Sequence, residues 1–371
     1  MNLDFTEEQG LLRDTVRGLC ADLIDARQLR ALERDARGYS VALWQALGET
    51  GITGVVVPEP FGGVGLGLIE CAIVHEELGR ALAPTPHLPS CVLSARLIAL
   101  AGSEAQQAAW LPPLAAGQRI VVTAWQEPGN SADIARVALS ARHEDGRIVL
   151  DGVKTLVPCA NSADALLVIA RLEGELAALL VPLDSAGITL ADLPNHADQK
   201  LMRVEFAGVA VDAAARLAGA PLAAAWERAT HETQVALAAE SIGGAQRMLE
   251  MATDYAKQRV QFGQPIGGFQ AIAHDLANAA TEVEGTRYLV YQAAWAADSG
   301  RPFERLALMA KLQAGAVFRR VTWKGVQIHG GLGFSLDADP QLFYRRAKHQ
   351  QLMYWDPAWL ERRIAAGVFG T

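Results

Sequence analysis

Tyr255-Ala256-Lys257-Gln258-Arg259-Val260-Gln261-Phe262-Gly263-Gln264-Pro265-Ile266-Gly267-Gly268-Phe269-Gln270 closes one long run of helical periodicity and opens another. Its Gly and Pro residues build a turn from which an Arg fork, side-chain amides and aromatic rings project. Such a set can hold a pyrophosphate and cover an adenine or flavin edge. An ordinary helix–helix connection with a surface Arg is the alternative, and the segment alone leaves both open.

Outward from this turn, helical spacing covers roughly 222–259, 268–298 and 303–328, each well beyond an average three-turn helix. Antiparallel packing of such helices predicts a helical bundle over 220–371. The third run ends in Gln327-Ile328-His329-Gly330-Gly331-Leu332-Gly333-Phe334. Glycines let backbone amides approach a phosphate or ring closely and Gln327 adds a directional amide; a glycine helix cap is the simpler alternative. Upstream, short β-type runs at 119–124, 147–150, 166–170 and 176–181, punctuated by Gly, Pro, Asn and Asp, predict a middle β-domain over 119–219. Residues 1–118 read as a helical domain, and both Thr6-Glu7-Glu8-Gln9 and Ser103-Glu104-Ala105-Gln106 fit a capping box. The expected class is α+β in the order helical, β, helical, with no G-x-G-x-x-G between a strand and a helix.

Composition narrows the function. Of the 371 residues 51% are apolar and 20% charged, enough to bury a large core and too apolar for a disordered chain. With 41 acidic against 33 basic residues and no Lys/Arg block, nucleic acid is not an expected partner. No run approaches the ~18 apolar residues of a membrane span, and Met1-Asn2-Leu3-Asp4-Phe5 carries no secretory pattern, so a cytoplasmic location is expected. Cys20, Cys71, Cys91 and Cys159 are widely spaced and the histidines scattered, so no metal site is expected.

Together, the two C-terminal motifs and their spacing resemble the acyl-CoA dehydrogenase family. The resemblance covers nearly the whole chain, including the loop Pro58-Glu59-Pro60-Phe61-Gly62-Gly63-Val64-Gly65-Leu66, and implies that the C-terminal domain over 220–371 is a four-helix bundle. It implies FAD held between protomers, α,β-dehydrogenation of an acyl-CoA thioester in lipid β-oxidation, tetrameric assembly, and electron-transfer flavoprotein as acceptor. By position, Arg259, Gln261, Phe262, Ile266 and Phe269, with Gln327, Gly330 and Gly331, correspond to family residues that reach a neighbour's FAD. Gln126 falls in Trp125-Gln126-Glu127-Pro128-Gly129, which resembles the loop serving the protomer's own flavin.

In that chemistry a carboxylate removes the Cα proton, a hydride leaves Cβ for flavin N5, and hydrogen bonds stabilise the developing enolate. The family's usual base stands in a Tyr-Glu-Gly-Thr motif after an Arg-Asp-Ala-Lys-type segment. Here Arg346-Ala347-Lys348 leads without a gap to Tyr354 at that position, followed by Trp355-Asp356-Pro357. The family's other base position falls on Thr233. Asp356 is the first substitute base, its alternative role being the N-cap of a last helix with Pro357 at the first helical position. Glu232 and Glu240 read as structural or solvated. Gly152-Val153-Lys154-Thr155-Leu156-Val157-Pro158 departs from the family's Gly-x-Lys-x-Trp-Ile-Thr/Ser: Leu156 replaces the indole, and Pro158 has neither hydroxyl nor N–H. Ala132 stands where the family usually has Ser.

Residues serving the protomer's own flavin are thus altered, while those reaching a neighbour's survive. This asymmetry resembles the family's α2β2 members, in which one subunit carries the base and a paralogous one completes the FAD site, often for bulky thioesters such as steroid side chains. Three readings stay open: an acyl-CoA dehydrogenase with an atypical base, as a homo- or hetero-oligomer; a non-catalytic subunit completing a partner's FAD site; and a related flavin-dependent oxygenase.

Overall fold

The computed structural model describes residues 4–129 and 133–370, so Ala132 lies outside the described residues. Helices α1 (Glu7–Leu23), α2 (Ala26–Arg34), α3 (Val41–Glu49), α4 (Leu68–Arg80), α5 (Ala95–Ala101) and α6 (Glu104–Ala115) come first. Strands β1 (Val121–Ala124), β2 (Ser140–Glu144), β3 (Arg147–Pro158), β4 (Ala165–Leu172), β5 (Glu175–Pro182), β6 (Ile188–Asp192) and β7 (Leu201–Asp212) follow. Then come α7 (Leu222–Gln258), the hairpin strands β8 (Val260–Gln261) and β9 (Gln264–Pro265), α8 (Gln270–Asp298), α9 (Glu304–His329), α10 (Pro340–Leu352) and α11 (Pro357–Phe369). The α+β class and its helix–sheet–helix order are those read from the sequence. Both capping boxes form: Thr6 Oγ1 accepts from Gln9 N at 3.2 Å while Gln9 Oε1 accepts from Thr6 N at 3.0 Å, and Ser103 and Gln106 do the same at 3.3 and 2.9 Å.

Packing groups the elements into two compact units. One holds residues 30–66 and 84–233 and is built on the sheet. Strand order is β1-β4-β2-β3-β7-β6, with β5 also paired to β4; β1 and β2 run parallel to β4, and the remaining pairs are antiparallel. On β7 the buried Met202, Val204 and Phe206 alternate with the more accessible Arg203 and Glu205, the period-2 signature of a strand with one face in the core. Ile148, Leu150, Leu166, Val168 and Leu179 complete that core from β3, β4 and β5.

The other unit holds the chain up to Leu29, Gly67–Ala83 and everything from Gln234 onward. Here α4 and α7 meet backbone to backbone. A Cβ on Gly79 would lie 1.9 Å from the Glu240 carbonyl oxygen, and one on Gly243 would lie 1.8 Å from that of Glu76. No side chain fits either place. The start of α4, preceded by Gly67, is capped from the end of α8, where Asp298 accepts from the N–H groups of Leu68 and Ile69 at 2.7 and 2.9 Å.

Candidate functional site

Phe262 and Gly263 form the two-residue loop between β8 and β9, with φ of 54° and 82°. A tight hairpin asks for positive φ at both positions. Gly263 meets this freely, whereas a bulky aromatic is strained there and persists only where the surroundings impose it. The Phe262 ring is 93% exposed, touching Phe269 edge-on at a centroid distance of 6.2 Å. Arg259 O accepts from Ile266 N at 2.8 Å, which closes the loop at its base. The Arg259 side chain is exposed and has no ion-pair partner among the described residues. Gln261 is exposed too, its Nε2 donating to Val260 O at 2.8 Å, and Ile266 and Phe269 are half-buried.

The second motif stands beside the first. Tyr255, near the end of α7, stacks on His329, the last residue of α9, with centroids 4.5 Å apart and planes 26° apart. His329 Nδ1 lies 2.7 Å from Gly325 O, which fixes the ring. Gly330 has φ 62° and ψ −138°, a region essentially reserved for glycine, and a Cβ on Gly330 or Gly331 would meet nothing within 4 Å. Both positions are therefore sterically open, while the Gly330 N–H donates to Gln327 O and the Gly330 carbonyl accepts from Gly333 N at 2.9 Å. Gln327, Leu332 and Phe334 are exposed around them. Arg259, Gln261, Phe262, Ile266, Phe269, Gln327, Gly330 and Gly331 thus belong to two neighbouring turns of one unit.

Gln126 belongs to the other unit, where it is buried and its carbonyl accepts from Thr155 N at 2.9 Å. Next to it, Glu127 accepts from Ala138 N and Leu139 N at 2.8 and 2.9 Å and from the fully buried Lys154 ammonium at 2.6 Å. Burial pulls Lys154 down to about 8 against the raising effect of Glu127. Burial also pushes the Glu127 carboxyl upward, but the Lys154 bond and the two backbone N–H groups outweigh it, leaving a lowered pKa. This pair ties the loop after β1 to β3. The register of β3 shifts between Lys154 and Val157, and Leu156 takes φ 53°.

The positions where a base could stand are otherwise engaged. Tyr354 is 1% exposed with φ 49°, and Trp355 follows at φ 81°. Asp356 Oδ1 accepts from Trp359 N at 3.1 Å and caps α11. The Thr233 hydroxyl donates back to Ala229 O at 2.7 Å. Glu232 accepts from Arg96 at 2.6 Å and Arg228 at 2.9 Å; Glu240 accepts from Gln350 Nε2 at 2.6 Å and lies 3.2 Å from His75 Nδ1. The sequence reading quoted Tyr255, His329 and Lys154 without their contacts, the ring stack and the buried Lys154–Glu127 pair, and passed over the buried Lys311. A lysine within an apolar helical stripe was the available signal for Lys311.

The acyl-CoA dehydrogenase N-terminal domain matches residues 6–118 and the C-terminal domain residues 222–354. The chain belongs to the acyl-CoA dehydrogenase family. It is 31% identical to the acyl-CoA dehydrogenase IpdE2 of Mycobacterium tuberculosis, over 98% of each chain. Among solved structures it resembles a chain of the ChsE4–ChsE5 complex from Mycobacterium tuberculosis, with TM-score 0.91 and 28% identity over 100% of both chains. It also resembles the Tcur3481–Tcur3483 steroid ACAD, with TM-score 0.89 and 30% identity over 98% of both. Acyl-CoA dehydrogenases are flavoprotein oxidoreductases acting on the CH–CH bond of acyl-CoA thioesters. No helix among the described residues is long and apolar enough to cross a membrane.

Proposed function

We propose that this acyl-CoA dehydrogenase chain serves as the completing subunit of a heteromeric enzyme, lending its two C-terminal turns to the FAD site of a paralogous partner that carries the base. The carrying observation is a contrast. Phe262, Arg259 and the open faces of Gly330 and Gly331 point out of the fold, whereas a buried phenol stands at the family's base position and Asp356 is committed to a helix cap. The chain's similarity to members of the ChsE4–ChsE5 and Tcur3481–Tcur3483 assemblies supports the same reading.

The residues of the two turns fit FAD. Arg259 would pair with the pyrophosphate as a fork, Gln261 and Gln327 would offer amides, backbone at Gly330 and Gly331 would approach closely, and Phe262, Ile266 and Phe269 would cover an apolar edge. When bound, FAD supplies the hydride acceptor. Gln126 would lie in this chain's own flavin loop. Bulky acyl-CoA thioesters of the steroid type, electron-transfer flavoprotein as acceptor, a dimer-of-dimers assembly, a cytoplasmic location and domain limits near 118 and 220 complete the proposal.

The visible spectrum of the chain, purified alone and then with a co-expressed paralogue, tests it. Little flavin alone and stoichiometric flavin in the complex is the expected result. A yellow isolated chain bleached by an acyl-CoA would refute the completing-subunit reading and return Asp356 to the role of base.

A further inference from the structure

On α9, Ala307, Lys311, Ala314 and Phe318 share one face, and all four side chains are buried. Lys311, 1% exposed, is the charged member of this apolar stripe. Its Nζ donates to Gln350 O and Gln351 O, each at 3.1 Å. These are carbonyls of the last turn of α10, which the helix itself leaves without N–H partners, and a donor there completes the turn.

The same turn is held from another side. The Gln350 carboxamide donates to Glu240 at 2.6 Å and accepts from the Ser241 hydroxyl at 2.9 Å. Beyond it, Trp355 stacks on Trp359 at 5.1 Å and Asp356 caps α11. Between these anchors Tyr354 and Trp355 both take left-handed backbone conformations, at φ 49° and 81°. Two successive bulky residues in that region do not choose it locally; surrounding contacts must impose it.

We infer that Lys311 is a positioning residue: by closing the last turn of α10 it sets the left-handed Tyr354–Trp355 turn and sends the Tyr354 phenol into the interior. It thereby fixes the stretch of backbone on which the family carries its base. Protonated or neutral, the amine has hydrogens for both carbonyls, so the clamp does not require the charge. The inference concerns this chain alone and holds whether or not the flavin reading does.

The full-length chain carrying Lys311→Met, which keeps the length of the stem and loses the donors, tests the clamp. Near-ultraviolet circular dichroism reads the Trp355–Trp359 stack, and Trp359→Phe identifies its band. Lys311→Met is expected to abolish that band while the far-ultraviolet helix signal persists. It should also lower Tm much less in a Trp355→Gly background, because glycine holds positive φ without help. A band of native strength, or the same Tm loss in both backgrounds, overturns the inference. Should Lys311→Met not fold, Lys311→Gln, whose amide nitrogen sits one bond short of the Nζ position and loses its reach to the two carbonyls, is expected to weaken the band; an undiminished band there counts equally against the clamp.

Discussion

The Tyr255 ring lies against the His329 ring at 4.5 Å, joining the end of α7 to the end of α9. This contact sets the arginine turn beside the glycine turn. Tyr255→Leu keeps an apolar body and removes the stack, so FAD retention by the assembled enzyme should fall while the helix content of the chain is preserved. Flavin absorbance after gel filtration, beside far-ultraviolet circular dichroism, measures both.

Arg259→Ala should weaken FAD retention by about tenfold or more, the loss of one charge-assisted fork. Arg259→Lys should recover only part of it, because a point charge does not reproduce bidentate pairing. Equal flavin content in wild type and the Ala variant of the complex would remove Arg259 from the site.

Two glycines in long helices should respond oppositely. Gly243→Ala puts a methyl group into the Glu76 carbonyl and should cost about 1–3 kcal/mol or more by overpacking. At Gly285, on α8, a Cβ meets nothing within 4 Å, and Gly285→Ala should stabilise by roughly 0.5–1 kcal/mol. Urea denaturation midpoints compare the pair directly.

Burial draws Lys311 down to about 7, against the raising influence of Asp356. The unfolded chain keeps its proton up to the ordinary lysine value near 10.5. Between these pH values the unfolded state therefore binds more protons than the native one, so this group's contribution to stability rises with pH across the window. Relative to Lys311→Met, wild type should gain stability from pH 7 towards pH 9.5 in urea titrations; parallel curves would show that Lys311 titrates normally.

Asp356→Asn leaves an N-cap acceptor and removes only the carboxylate. In the partner-reconstituted enzyme, kcat and the melting temperature should both stay near wild type. A collapse of kcat with unchanged melting would make Asp356 a proton acceptor after all.

Several parts of this protein could be read directly from its sequence because their causes are local. The long helices were expected at 222–259, 268–298 and 303–328 and run Leu222–Gln258, Gln270–Asp298 and Glu304–His329. The reasons are side-chain periodicity, and breakers or caps a few residues away. The Asp356 cap was legible for the same reason: acceptor and N–H lie within one turn.

What the sequence left open depended on residues far apart in the chain. Nothing near Glu240 says that Gln350 and His75 occupy its carboxylate, and nothing near Glu232 points to Arg96. Phe262 and Tyr354 are not residues that adopt positive φ by preference; a hairpin closure decides the first and the anchors around α10 and α11 surround the second. Local sequence thus determined the elements and the residue types at the two turns. Tertiary packing decided which charges were already paired, which rings faced outward, and that the Tyr354 phenol is buried in the interior after α10, because pairing and burial are properties of neighbours in space.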